Sequence, residues 1–158
     1  SGGPIVSEYE LRAEVAADQP ALLALVWKTV MASERDRKAL LAHPEFVQVP
    51  VEQLTSANAC VADDGRTLAG FAVVLRRPDG EAELDGLFVD PAVQRLGIGR
   101  RLVEKATQLA RAMGATELHV IANDGALAFY QAVGFVQTGV GETQFGTAPV
   151  MRLTLEDG

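Results

Sequence analysis

The segment Leu87-Phe88-Val89-Asp90-Pro91-Ala92-Val93-Gln94-Arg95-Leu96-Gly97-Ile98-Gly99-Arg100-Arg101-Leu102 constrains the fold more than any other stretch of the chain. A strand runs into Asp90-Pro91, where proline cannot continue the ladder. Two glycines then open a helix predicted over Gly99–Met113. Leu102, Val103, Ala106, Leu109, Ala110 and Met113 share one of its faces, and Gly114 is its natural stop. The amides of a helix's first turn have no intrahelical partner, and the helix dipole places partial positive charge there. Together they form an anion site, which glycines let a phosphate approach closely. Arg95, Arg100 and Arg101 add local positive charge to a chain whose net charge is −7.

Three phosphate-binding patterns compete for this segment. A P-loop needs Gly-Lys-Ser/Thr, which the chain lacks. A dinucleotide fingerprint needs Gly-x-Gly-x-x-Gly directly after a strand. Here Leu102 occupies the third glycine position, and seven residues separate Val89 from Gly97. The third pattern is Gln/Arg-x-x-Gly-x-Gly/Ala after a strand ending near Val-x-Pro, and Gln94-Arg95-Leu96-Gly97-Ile98-Gly99 fits it in full. This resembles the pyrophosphate loop of the GNAT acetyltransferase superfamily. Downstream, Asn123-Asp124-Gly125-Ala126-Leu127-Ala128-Phe129-Tyr130-Gln131-Ala132-Val133-Gly134-Phe135 is similar to the superfamily's Asn-x-x-Ala-x-x-Phe-Tyr-x-x-x-Gly-Phe signature. The two motifs stand in the right order, one helix and one strand apart, and the resemblance covers about residues 81–136. Asp124-Gly125 is an atypical helix start.

The remaining elements follow from periodicity and turn residues. Tyr9–Val15 alternates as a strand. Asp18 is the expected N-cap of a helix carrying Leu22, Leu23, Val26, Trp27 and Val30 at helical spacing, with Pro20 near its first turn. A short helix is expected over Glu34–Ala42, ended by His43-Pro44, and residues 44–58 read as a loop or partly helical arm. Strands follow at Ala59–Ala62, Leu68–Arg76 and Glu81–Val89, with turns at Asp63-Asp64-Gly65 and Arg77-Pro78-Asp79-Gly80. Further on come a strand at Glu117–Ile121, a helix at Asp124–Val133, and strands at Phe135–Val140 and Val150–Leu155. The expected fold is α/β of the α+β kind. It is one GNAT-type domain over 1–158 with a mixed, mostly antiparallel sheet of about six or seven strands and about four helices. Residues 1–7 read as a flexible lead-in, and Ser1-Gly2-Gly3-Pro4 as a cloning remnant. In Glu81–Val89, Leu84 and Leu87 stand three apart with Gly86 between them, so alternation breaks there as a β-bulge requires.

The resemblance carries chemistry onto particular residues. It implies a splay between Glu81–Val89 and Glu117–Ile121 that admits the thioester of acetyl-CoA, with coenzyme A as product. Backbone groups of Phe88 and Val89 would bind the pantetheine, and the Val89 N–H would polarise the carbonyl. Gln94, Arg95, Leu96, Gly97, Ile98, Gly99, Arg100 and Arg101 would hold the pyrophosphate, and Asn123 and Tyr130 of the second motif would also bind the cofactor. Tyr130 would be the general acid for the departing thiolate, since a thiol has a pKa of about 8.5 and tyrosine about 10. The acceptor amine must lose a proton. Glu83, eleven residues before Gln94, holds the position of the glutamate base in histone-type relatives, and Asp85 is the next candidate. Glu81, Glu83 and Asp85 alternate and would share a strand face, which a solvated acidic surface explains equally well.

Composition narrows the function further. Apolar residues are 48% of the chain, enough for a full core, and no run of 18 is apolar, so no membrane span is expected. The N-terminus lacks a secretory pattern, and the single cysteine, Cys60, permits no internal disulfide, so a cytoplasmic setting is expected. Cys60 reads as a small core residue. His43 and His119 are scattered and read as packed or bland, so no metal site is expected. The acidic balance argues against nucleic-acid binding and suits a cationic substrate. The acceptor is expected to be a small-molecule primary amine, with a peptide or protein amine as the alternative and a homodimer possible. Specificity would come from residues 27–58 and from the loop Gly139–Pro149, where Trp27, Phe46 and Phe145 form either an apolar wall or ordinary core. A non-catalytic acyl-CoA sensor of the same fold is the competing reading.

Overall fold

The computed structural model describes residues 9–32, 37–38, 41–42, 58–93, 97–122, 126–143 and 146–155. The lead-in at 1–7, the arm at 44–57 with Phe46, His43 and Phe145 lie outside the described residues. Of the expected helix Glu34–Ala42, the described residues 37, 38, 41 and 42 are helical.

Among the described residues the first elements are β1 (Glu10–Ala13), a 3-10 turn (Ala16–Asp18) and α1 (Gln19–Ala32). After it come β2 (Ala59–Asp63), β3 (Leu68–Arg76), β4 (Ala82–Val89) and a second 3-10 turn (Pro91–Val93). The rest is α2 (Ile98–Ala112), β5 (Glu117–Ile121), α3 (Leu127–Ala132), β6 (Val136–Thr143) and β7 (Gly146–Thr154). Seven strands form one sheet in the order β1-β2-β3-β4-β5-β7-β6, antiparallel throughout except for the β4–β5 pair.

Alternation along β2 and β3 sends successive residues to opposite faces, and each face has its own core. Cys60, Ala62, Ala72 and Val74 meet Ile98, Leu102, Val103, Ala106 and Ala110 of α2. Ala59, Val61, Phe71 and Val73 meet Leu22, Leu25 and Val26 of α1. Fully burying one of the larger of these side chains, a valine, leucine, isoleucine or phenylalanine, contributes about 1.5–3 kcal/mol. The α2 stripe is the one its periodicity predicts. In α1, Leu25 joins the buried stripe while Leu23 is exposed and Trp27 half-buried. This helix is apolar nearly all round, so spacing alone does not select the packed face.

Several expected boundaries move. Asp18 does not cap α1: its carboxylate accepts the Val15 N–H at 2.9 Å and both terminal nitrogens of Arg12 at 2.9 Å, closing the 3-10 turn that precedes the helix. β6 and β7 run toward each other as far as the Thr143–Gly146 rung, so most of the expected loop 139–149 is a hairpin. Glu81 precedes β4, and its carboxylate accepts the N–H and hydroxyl of Thr116 at 2.8 and 2.6 Å, fastening the turn before β5.

Glu14 sits badly in this frame. It is buried, and neither carboxylate oxygen has a hydrogen-bond partner among the described residues. Burial, aided by the charge of Asp18, pushes its pKa from 4.5 up to about 6. The folded state therefore binds this proton more tightly than the unfolded chain does. The associated stability is present below pH 4.5 and is lost as pH rises through 6. Glu14→Gln is expected to stabilise the protein by roughly 1–2 kcal/mol at pH 8 and by much less at pH 4.5. Thermal unfolding at both pH values measures the difference, and equal shifts would refute the electrostatic cause.

Candidate active site

The parallel β4–β5 ladder has only two rungs, Ala82–Leu118 and Glu83–His119. Beyond them β4 continues to Val89 without β5 as a partner. The cause lies in β4 itself. Val73 pairs with Gly86 and Val74 with Leu84, so Asp85 is an extra residue opposite a continuous β3. This is the bulge that the Leu84–Leu87 spacing implies, and a bulge bends its strand and increases its twist. It also resets the faces: Leu84 and Leu87 both lie on the α2 side, while Phe88 turns to the α1 side and stacks on Phe71, with ring centroids 5.0 Å apart. The three acidic residues consequently do not share a face. Glu81 is outside the strand, Glu83 is half-buried, and Asp85 is the exposed bulge residue.

The open side of β4 carries defined donors. The Asp90 N–H donates to the Ala69 carbonyl at 2.7 Å, so it points at β3. Amides alternate sides along a strand, which turns the Phe88 N–H to β3 and the Leu87 and Val89 N–H groups toward the splay. The Asp90 carboxylate fixes this end. It accepts Lys28 Nζ of α1 and the Ala92 N–H, each at 2.9 Å. Burial opposes its ionisation, but these two bonds outweigh it and hold its pKa below the usual carboxylate range.

A cleft of about 140 Å³ occupies the splay, lined among others by Glu83, Asp85, Phe88, Ile121, Tyr130 and Thr143. Tyr130 is buried, with its ring edge-to-face against Phe129 and Phe135 at 5.2 Å each. Burial raises its pKa well above the ordinary value, so the hydroxyl stays protonated through the neutral range. Thr143 reaches the cleft from the β6–β7 hairpin, a contribution no local sequence signal marks.

The mouth of α2 meets Val89 and Phe129, the chain neighbours of the lining residues Phe88 and Tyr130. Gly97 adopts φ +85°, a left-handed conformation that L side chains rarely adopt. The Arg101 N–H closes the first turn on the Gly97 carbonyl at 3.1 Å, and the amides of Ile98, Gly99 and Arg100 precede that bond. A Cβ on Gly99 would stand 3.2 Å from the Phe129 ring and 3.6 Å from Val89 Cγ2. Gly99 thus draws α2, α3 and the end of β4 together. The Ile98 side chain is buried and Arg100 is exposed. Arg101 donates to the Tyr9 carbonyl at 3.1 Å and so cross-links α2 to the start of the chain. Gln94, Arg95, Leu96 and Asn123 lie outside the described residues. Cys60 is buried, and desolvation pushes its thiol up to about 11, which leaves it inert at neutral pH.

The family model for the acetyltransferase (GNAT) family matches residues 26–135. The chain belongs to the GNAT acetyltransferase family. Within this family it is 43% identical over 83 residues to the N-alpha-acetyltransferase RimI of Mycobacterium tuberculosis, covering 50% of this chain and 52% of that protein. It is 32% identical to the peptidyl-lysine N-acetyltransferase YjaB of Salmonella typhimurium, over 84% of this chain and 88% of that one. The match to RimI spans about half of that relative's length. The PaiA N-acetyltransferase of Thermoplasma acidophilum, solved in complex with coenzyme A, has the same fold at a TM-score of 0.75 and 20% identity. It covers 92% of this chain and 98% of that one. No described helix of this GNAT protein is long and apolar enough to cross a membrane.

Proposed function

We propose that this protein, acting as one domain, transfers an acetyl group from acetyl-CoA to a primary amine bound in the same complex. One observation carries the reading. The bulge and the two-rung ladder open β4 from β5 where buried Tyr130 and Glu83 line one cleft, and Val89 follows the lining residue Phe88 along the unpaired edge of β4. When bound, acetyl-CoA supplies an activated acyl group with a thiol leaving group. Gly97, Ile98, Gly99 and Arg100 would hold its pyrophosphate on the opening amides of α2, with Gln94, Arg95, Leu96 and Asn123 completing the grip, whereas the Arg101 amide is bonded to Gly97 and its guanidinium reaches the Tyr9 carbonyl. Backbone groups of Phe88 and Val89 would hold the pantetheine arm, and the Val89 N–H is the donor for a carbonyl oxygen in the splay. Tyr130 retains its proton until it is needed by the departing sulfur. That PaiA was crystallised with coenzyme A supports this choice of cofactor.

Glu83 is the base we favour over Asp85. Both line the cleft, but Glu83 does so from a half-buried strand position, whereas Asp85 stands exposed on the bulge. Glu83→Gln is expected to lower kcat by about 10²-fold, the usual scale for a lost general base, and Asp85→Asn by less than about threefold. Free-thiol release from acetyl-CoA measures both, and the reverse ranking would transfer the role to Asp85.

The acceptor we favour is a small cationic amine. An aminoglycoside N(6')-acetyltransferase, 33% identical over 59% of this chain, supports that choice. A peptide amine is the second reading, favoured by the longer match to the peptidyl-lysine enzyme. A panel of an aminoglycoside, a polyamine, a lysine peptide and a free peptide N-terminus, scored by thiol release, separates the two. No acetylated product from any of them would favour the acyl-CoA sensor.

A further inference from the structure

Next to the cleft, on the face of the sheet that carries Glu83, lies a polar chain the mechanism above does not use. Glu83 and His119 form the last rung of the β4–β5 ladder, and His119 is in turn opposite Arg152 on β7. Their neighbours Ala82, Leu118 and Leu153 belong to the α2-side core, so Glu83, His119 and Arg152 project together from the other face. His119 Nε2 is 3.2 Å from Glu117 Oε1, and Arg152 Nη1 donates to Glu117 Oε2 at 3.2 Å. The His119 side chain is only 15% exposed.

The chemistry of these contacts fixes the ring. A carboxylate only accepts, so Nε2 carries the hydrogen shared with Glu117, and in the neutral ring Nδ1 keeps its lone pair. Glu117 is itself held by Arg152. The result is an oriented imidazole on the strand beside Glu83, roughly 5 Å away at the backbone. Such a group answers a mismatch. An alkylammonium has a pKa of about 10.4 and a carboxylate about 4.3, whereas imidazole at about 6.5 is the better proton acceptor.

We infer that His119, oriented by Glu117 and Arg152, is a positioning residue that relays the proton Glu83 removes from the acceptor amine. The inference rests on the reading of Glu83 as base. An N–H bond of the amine breaks, its electron pair stays on nitrogen, and the proton passes to the Glu83 carboxylate. It then moves to Nδ1 of His119, directly or through water, which restores the carboxylate. The imidazolium, stabilised by Glu117, releases it to solvent. Among the described residues, the charged groups adjoining His119 on this face are Glu83, Glu117 and Arg152.

Proton NMR tests the coupling without any acceptor. The sequence has two histidines, His43 and His119, so His119→Gln assigns the signal. Glu83→Gln is expected to move the His119 ring signals recorded at one fixed pH, because the relay needs the two side chains within reach of each other. Unmoved His119 ring signals overturn the relay. Turnover with acetyl-CoA and either kanamycin A or a lysine hexapeptide supplies the second arm. His119→Gln should lower kcat roughly tenfold and displace the acid limb of the kcat/KM profile, with KM for acetyl-CoA unmoved. Full activity and an unchanged profile in His119→Gln, with Glu83→Gln inactive, would overturn the relay and leave Glu83 as base. A fully active Glu83→Gln would instead remove the underlying reading.

Discussion

Tyr130→Phe lowers the turnover number by about two to three orders of magnitude, the scale of a lost general acid, while acetyl-CoA affinity stays within about twofold. The expectation follows from how the ring is held. Phe129 and Phe135 meet it edge-to-face, contacts that phenylalanine reproduces. The residue is 6% exposed, so the substitution removes a hydroxyl and little else. Burial holds the phenol's proton above its ordinary range, and the acid form persists across the working pH of any amine acetylation. A departing thiolate, with a pKa of about 8.5, must otherwise leave unprotonated or collect its proton from water. Steady-state thiol release gives kcat, calorimetry with coenzyme A gives the affinity, and a melting curve checks the fold. A kcat within threefold of the parent, with an intact fold, would show that the proton comes from elsewhere.

Gly99→Glu is expected to weaken acetyl-CoA binding by at least about 100-fold, equivalent to roughly 2.7 kcal/mol. Two effects act together. A carboxylate at the first turn of α2 opposes an anion at the positive end of the helix dipole. In addition, the new Cβ would press on the Phe129 ring at 3.2 Å, so α2 or α3 must give way by a few tenths of an ångström. Gly99→Ala separates the contributions, since it brings the same 3.2 Å contact with Phe129 and no charge. It should cost about 1–3 kcal/mol of stability, the range for overpacking, and far less binding. Equal binding losses in the two variants would assign the effect to packing alone. Calorimetry with coenzyme A and thermal unfolding of both proteins decide the matter.

Much of the backbone around the cleft was legible in the sequence. The three-residue spacing of Leu84 and Leu87 around Gly86 locates the bulge, because alternation along a strand cannot skip a position without one. The α2 stripe and the ends of β3 and β5 follow equally from local period. The acidic run was less transparent. Alternation extended one residue too far at Glu81, and the bulge then separated Glu83 from Asp85. Asp18 carries the residue type of a helix cap, yet Arg12 and the Val15 amide claim its carboxylate. Leu23 has the right spacing to be core in an all-apolar helix, and only contact with the sheet chose Leu25 instead.

By itself the sequence determined the strand–loop–helix unit, the glycines at its mouth and the identity of the tyrosine, because each is set by residues a few positions apart. Tertiary structure alone inserted β7 between β5 and β6, carried Tyr130 and Thr143 to the cleft that Glu83 lines, and set His119 between Glu83 and Arg152. Strand order and lateral register join residues dozens of positions apart. They are settled by which pairing buries both faces of the sheet at once, a condition that no window of local sequence contains.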